Sequence, residues 1–248
     1  MGRIGIIGGT ALADLAGVAP AAPPAVVETR YGPTSGPLVH GAYAGQDVVF
    51  LMRHGAGHKI APHAINYRAN IAALAAAGCE WVIAIAAVGG IAAEATPGRI
   101  VIPDQIIDYS WARKHTFYDD PATDGLDHID FTEPYDGTLR RRLSDSAAGR
   151  GLDAMEGGVH GITQGPRLET AAEIDRMDRD GCHIVGMTGM PEAALAREAG
   201  LAYGCCAVVV NKAAGRTGGL AIHAEIEATL AAAMADIERL LQAVVPTL

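Results

Sequence analysis

Short, unbroken apolar stretches that stop at glycine pairs or at a polar pair constrain this chain more than any other feature. Residues 3–7 run into Gly8-Gly9, residues 81–86 lead to Gly89-Gly90, and Ala207-Val208-Val209-Val210 ends at Asn211-Lys212. Runs this short and this apolar fit buried strands, since a half-wet strand would alternate apolar and polar residues. Leu38–Tyr43 and residues 48–52 read as two further strands joined at Gly45-Gln46, residues 155–163 as another, and Gly89-Gly90 as a turn. Between them, residues 63–77, 136–150, 170–180, 192–199 and 221–244 have helical length and composition, the last long and amphipathic. Thr170 followed three residues later by Glu173 predicts a capping box. Residues 108–135 hold aromatics, aspartates and two histidines with little periodicity, and a loop of that length is usually functional or interfacial. The pattern predicts an α/β fold, a mixed central sheet flanked by helices, in a single domain over residues 1–248.

Half of the 248 residues are apolar, enough for one large core. The formal charge of −9 opposes a broad nucleic-acid surface, whose affinity comes from lysines and arginines that neutralise phosphates. A small anion must then be held by local donors. The four cysteines, Cys79, Cys182, Cys205 and Cys206, lack paired metal-site spacing and lie in or beside apolar runs, so buried thiols are expected and a metal is not. The alanine-rich stretch after Arg3 loosely mimics a secretory leader, but glycines and Asp14 interrupt it early. No run reaches about eighteen apolar residues, the length a membrane span needs. The expectation is a reduced, cytoplasmic enzyme with no nucleic-acid or membrane partner.

Asn211 and Glu169, the latter in Gly165-Pro166-Arg167-Leu168-Glu169-Thr170, form a pair with a specific chemical use. A side-chain amide can bond O6 and N7 of a 6-oxopurine, while a carboxylate accepts the N1 proton. Thr10 and Arg53 both fall just past predicted strand ends, where ligands gather in open α/β sheets. Gly8-Gly9-Thr10 and Arg53-His54-Gly55 supply hydroxyl, guanidinium and ring donors suited to phosphate. Purine and phosphate together point to nucleoside phosphorolysis. Singly, these residues have plainer uses: Thr10 as a helix cap, Arg53 in a surface ion pair, Asn211 as a turn residue, Glu169 as a carboxylate at a helix start.

The segments that carry a wider resemblance occur in order along the chain. They are Gly8-Gly9-Thr10, Arg53-His54-Gly55, Ile65-Asn66-Tyr67-Arg68-Ala69-Asn70-Ile71, Pro97-Gly98-Arg99-Ile100-Val101-Ile102-Pro103-Asp104-Gln105, residues 165–173, and Gly186-Met187-Thr188-Gly189-Met190-Pro191-Glu192. From about Gly8 to His223 the chain resembles the trimeric purine nucleoside phosphorylase and methylthioadenosine phosphorylase family. The resemblance implies that Thr10, Arg53, His54 and Thr188 bind phosphate, where the Ala87 amide can also serve, that Met187 lies against the ribose, and that Asn211 and Glu169 hold the base and serve catalysis. It also implies a homotrimer, with inorganic phosphate as co-substrate and no cofactor. Lys212 and Ala213 neighbour the base, with Lys212 open to the base, a carboxylate or solvent.

Departures from the family pattern carry the specificity expectation. Related enzymes commonly place a hydroxyl or amide residue where this chain has Ala86. Adenosine-type members usually have aspartates at the positions of Asn211 and Ala213, and a small hydroxyl residue at that of Glu169. A 6-amino group is a donor that wants a carboxylate, and adenine N1 has no proton for Glu169. Sites built around a polar pairing can reject the wrong partner by roughly 10⁴- to 10⁵-fold, so a hypoxanthine-type base is expected. Arg53-His54-Gly55 and Gly165-Pro166-Arg167 are similar to the methylthio branch, whereas Glu169 with Asn211-Lys212 is similar to the inosine–guanosine branch. The combination implies cleavage of 5′-methylthioinosine by phosphate to hypoxanthine and 5-methylthioribose 1-phosphate. His223, Ile226 and His128 would border the 5′ group, His128 from a neighbouring subunit. The alternatives are inosine or guanosine phosphorolysis, methylthioadenosine phosphorolysis and, from another class, a noncatalytic purine-binding protein.

Overall fold

The apolar runs assemble into one large sheet whose two faces are both covered by helices. The structure is a computed structural model that describes residues 2–9, 18–216 and 222–248, except for the side chains of residues 19, 121, 222–225, 227, 228 and 231. The first part of the chain forms β1 (Arg3–Gly8), β2 (Ala19–Pro20), β3 (Glu28–Thr29), β4 (Gly32–Pro33), β5 (Leu38–Tyr43), β6 (Gln46–Met52) and α1 (Tyr67–Ala76). Next come β7 (Cys79–Gly90), β8 (Ile100–Ile102), β9 (Gln105–Asp108), α2 (Pro121–Asp124) and α3 (Gly137–Gly149). The remainder forms β10 (Ala154–Glu156), β11 (Val159–Ile162), α4 (Ala171–Arg179), β12 (Cys182–Gly186), α5 (Gly189–Glu198), β13 (Ala202–Lys212) and α6 (Ile222–Val244).

Among the described residues, eleven strands form the mixed sheet, in the order β10-β8-β13-β7-β1-β6-β5-β2. A branch leaves the end of β7 through β12 to β11 and β9. The central strands β13, β7, β1 and β6 are mutually parallel. Their side chains alternate between two cores: Cys205, Ala207 and Val209 enter one, Cys206, Val208 and Val210 the other. The first is closed by Ile71 and Leu74 of α1 and by Leu195 of α5, the second by Leu139 and Leu143 of α3 and by Ile237 and Leu240 of α6. Burial on both faces is the reason the runs are continuously apolar rather than alternating. All four cysteines are buried, and burial pushes the Cys79 and Cys205 thiols up to about 12, so the reactive thiolate is suppressed. Among the described residues no helix is long and apolar enough to cross a membrane.

The mixed sheet flanked by helices is the expected architecture, with local differences. Gly89-Gly90 is not a turn. Both glycines are held in ladders, by Asn211 and Lys212 of β13 on one side and by Val185 and Ile184 of β12 on the other. Gly90 must lack a side chain there, because a Cβ would lie 2.0 Å from the Ala95 carbonyl oxygen. The strand expected over residues 155–163 is two strands, broken at Gly157 and Gly158, whose φ values of 82° and 109° kink the chain. This break lets β10 pair with β8 while β11 crosses to β9 and β12. The helix expected from residue 63 starts at Tyr67, where the Asn66 side chain accepts from the Ala69 N–H. The Thr170–Glu173 capping box is present at the start of α4.

Candidate active site

Gly9 after β1, Arg53 and His54 after β6, the last residues of β7 and β13, and the β12–α5 junction all border one cavity of about 440 Å³. Two irregularities in the sheet open it. The β1–β7 ladder ends at Ile7 and Ala84, so Ala86 and Ala87, still paired with β13, have no β1 partner and border the cavity. The β13–β7 register slips between Val209 and Asn211. In regular alternation Val210 and Asn211 would face opposite sides of the sheet; across this bulge both line the cavity.

Asn211 is buried, and its Nδ2 donates to the Lys212 carbonyl at 2.6 Å. One amide N–H and Oδ1 remain for a ligand. Glu169 reaches the same cavity from the segment before α4, and its Oε1 accepts from the Thr163 hydroxyl at 2.6 Å. The second carboxylate oxygen is left for a donor. An amide with both functions and an oriented carboxylate therefore border one cavity.

Arg53 is neither a surface ion pair nor an uncommitted fork. Its Nε and Nη2 donate to Glu192 Oε2 and Oε1 at 2.9 and 2.7 Å, and Nη1 donates to the Ile85 carbonyl at 2.7 Å. Both side chains are 1% exposed, and the Tyr203 hydroxyl donates to Glu192 Oε1 at 2.8 Å. Burial opposes the guanidinium charge, but Glu192 outweighs it and raises the Arg53 pKa above its ordinary value. The cavity thus meets a permanent cation whose charge is partly offset from behind.

His54 is also committed on one side. Its Nδ1 lies 2.8 Å from the Ile60 carbonyl, which can only accept, so Nδ1 carries the proton. Burial, with the Arg53 and His58 charges, lowers its pKa to about 4. Near neutral pH its Nε2 therefore offers a lone pair rather than an N–H. Thr188 occupies the N-cap position of α5 without making a side-chain capping bond, and its hydroxyl remains at the cavity wall.

Ala87, Met187, Ala213 and Ile226 also line the cavity. Lys212 does not: its Nζ donates to the Ala92 and Ala93 carbonyls at 2.9 and 3.0 Å. His128 is exposed and outside the cavity lining. Thr10 and the side chain of His223 lie outside the described residues. Sequence patterns did not single out Glu192 as the partner of Arg53, Thr163 as that of Glu169, or the Ile60-Ala61-Pro62 wall. Among the described residues no group of three or more His, Cys, Asp and Glu is arranged to hold a metal.

Two buried imidazoles make acid stability testable. Burial lowers His54 to about 4, and burial together with the Arg53 charge lowers His160 to about 3. An unfolded histidine titrates near 6.5, so between about 4 and 6.5 the unfolded chain binds protons that the native chain does not. The stabilisation is complete above about 6.5 and is lost as pH falls. The expected urea midpoint is level above pH about 6.5 and declines between about 6.5 and 5, before most carboxylates titrate. A level midpoint across that interval would contradict the burial of these rings.

The chain aligns with known proteins over nearly its whole length. A model of the Phosphorylase superfamily matches residues 3–246, and the chain belongs to that superfamily. Within it, the chain is 48% identical to a probable S-methyl-5′-thioinosine phosphorylase of Pseudomonas syringae pv. tomato, over 94% of each chain. It is 42% identical to the 6-oxopurine nucleoside phosphorylase of Pyrococcus furiosus, over 99% of this chain and 93% of that one. Its fold matches methylthioadenosine phosphorylase from Schistosoma mansoni in complex with adenine, with a TM-score of 0.91 and 30% identity, covering 99% and 91% of the two chains.

Proposed function

We propose that this chain cleaves S-methyl-5′-thioinosine with inorganic phosphate, giving hypoxanthine and 5-methylthioribose 1-phosphate. As a nucleoside phosphorylase it is a pentosyltransferase. The reading rests on Asn211 and Glu169 lining one cavity, each with a polar function left over after its own internal bond. The free Asn211 N–H donates to O6, its Oδ1 accepts from a protonated N7, and Glu169 accepts from N1–H.

In the reaction a phosphate oxygen bonds to the anomeric carbon as the bond to N9 breaks, and the electron pair of that bond leaves with the base. Negative charge grows toward O6 and N7, so the Asn211 contacts strengthen in the transition state, which is where binding accelerates a reaction. Phosphate is held by Arg53, Thr188, the Ala87 amide and Thr10. Its own hydroxyl donates to the His54 Nε2 lone pair. Partial neutralisation of Arg53 by Glu192 anchors phosphate without cancelling its nucleophilicity. Ala86 contributes no side-chain donor.

Met187 lies against the ribose, Ala213 beside the base, and Ile226 with His223 at the 5′ group, where His128 enters from the next subunit of a homotrimer. Lys212 orders the loop at Ala92 and Ala93 rather than touching the base. The enzyme is cytoplasmic and uses phosphate as co-substrate without a cofactor. Comparing kcat/KM on methylthioinosine, inosine and methylthioadenosine, with and without phosphate, tests the reading. Phosphate-dependent release of hypoxanthine, fastest from methylthioinosine, is expected. A preference for methylthioadenosine overturns the base assignment, a preference for inosine overturns the 5′ assignment, and no phosphate-dependent release returns the chain to a binding role.

A further inference from the structure

The aperiodic stretch between β9 and α3 sends one side chain beneath the site. Arg113 is 8% exposed and does not border the cavity. Its guanidinium has five N–H donors in a fixed plane, and they meet six acceptors drawn from separate segments. Nη2 donates to the Thr163 and Gln164 carbonyls at 3.0 and 2.8 Å, and Nε to Gln164 Oε1 at 3.2 Å. Nη1 donates to the Met187 carbonyl at 2.8 Å, the Met190 carbonyl at 2.5 Å and the Tyr67 hydroxyl at 3.3 Å.

All of these acceptors except the Tyr67 hydroxyl, which lies on α1, belong to the two segments that carry the proposed substrate contacts. Thr163 and Gln164 follow β11 and lead directly into the turn bearing Glu169, whose carboxylate the Thr163 hydroxyl also holds. Met187 and Met190 flank Thr188 at the β12–α5 junction. The residue just before Arg113, Ala112, has a φ of 55°, a left-handed conformation that a residue with a Cβ rarely adopts and that persists where surroundings over-determine it.

We infer that Arg113 is a positioning residue: it fixes the Glu169 turn against the Met187–Thr188 segment, and so sets the registry between base recognition and the ribose and phosphate contacts. The inference rests on the base assignment proposed above. Lysine cannot replace it, because a single ammonium has no planar fork to satisfy carbonyls from two segments at once.

The test uses full-length wild type, Arg113→Ala and Arg113→Lys, each assayed with phosphate on methylthioinosine and methylthioadenosine. Misplacing reacting groups by about 1 Å costs about 100-fold. Arg113→Ala is expected to lose kcat/KM on methylthioinosine by about that factor, to narrow the ratio between the two substrates, and to regain activity with added guanidinium ion below denaturing concentration. Arg113→Lys is expected to stay defective. A purely structural role would lower the melting temperature, leave the substrate ratio at the wild-type value and show no guanidinium rescue, and that result overturns the inference. Should Arg113→Ala not fold, the ratio measured on Arg113→Lys and Gln164→Ala decides, with an unchanged ratio in both again overturning it. A wild type that fails to prefer methylthioinosine defeats the base assignment itself, an outcome distinct from unaltered ratios in the variants of a selective wild type.

Discussion

Asn211→Asp is expected to reduce kcat/KM on methylthioinosine by about 10²- to 10³-fold, the range seen when one preorganised donor to a developing oxyanion is lost. The substitution nearly preserves volume, so packing is not at issue. The free N–H aimed at O6 becomes a carboxylate oxygen facing another acceptor, and a negative charge is placed where the departing base gains its own. Because that interaction grows along the reaction, the loss should appear in kcat as well as in kcat/KM. On a 6-amino substrate the new carboxylate meets a donor instead, so the preference for the 6-oxo base should narrow. Steady-state kinetics on methylthioinosine and methylthioadenosine measure both effects. Unchanged selectivity would contradict the assigned contact.

Glu192→Ala is expected to destabilise the protein by about 3–5 kcal/mol, the usual cost of leaving one charge of a buried pair uncompensated. Arg53 and Glu192 are each 1% exposed, so water cannot replace the lost partner, and the Tyr203 hydroxyl loses its acceptor as well. At roughly 2–4 °C per kcal/mol for a chain of this size, the melting temperature should fall on the order of 10 °C. Replacing the pair with apolar residues, Arg53→Met with Glu192→Leu, should recover most of that stability, since the isolated charge disappears along with its partner. The double variant should still lack phosphate-dependent turnover, because the cation at the phosphate end is gone. Thermal unfolding of the single and double variants separates the two roles. A single variant as stable as wild type would contradict the buried ion pair.

Residues near strand ends were legible because their meaning depends on local context. An apolar run followed by Asn211, and another followed by Arg53 and His54, already places these groups at a sheet edge, and both sets line the cavity. What escaped depends on partners distant in the chain. The bulge that brings Val210 and Asn211 to the same wall is a property of the β13–β7 register, not of either run. Gly89-Gly90 has the composition of a turn, yet two flanking ladders keep it extended. The Arg53 fork is directed by Glu192, a residue 139 positions away, and the state of the His54 ring is set by the carbonyl of Ile60. Arg113 lies in a stretch without periodicity, where its five donors had no visible destination. From sequence Lys212 was open to the base, a carboxylate or solvent, and its Nζ donates instead to the backbone carbonyls of Ala92 and Ala93, which are 120 and 119 positions away.

Base selectivity depends on which atoms of Asn211 and Glu169 meet the heterocycle, and a crystal structure with hypoxanthine and phosphate bound measures this directly. The expected result is the Asn211 amide within hydrogen-bond distance of O6 and N7 and a Glu169 oxygen within the same distance of N1, with phosphate beside Arg53, His54 and Thr188. A base bound with either side chain turned away from it would contradict the account.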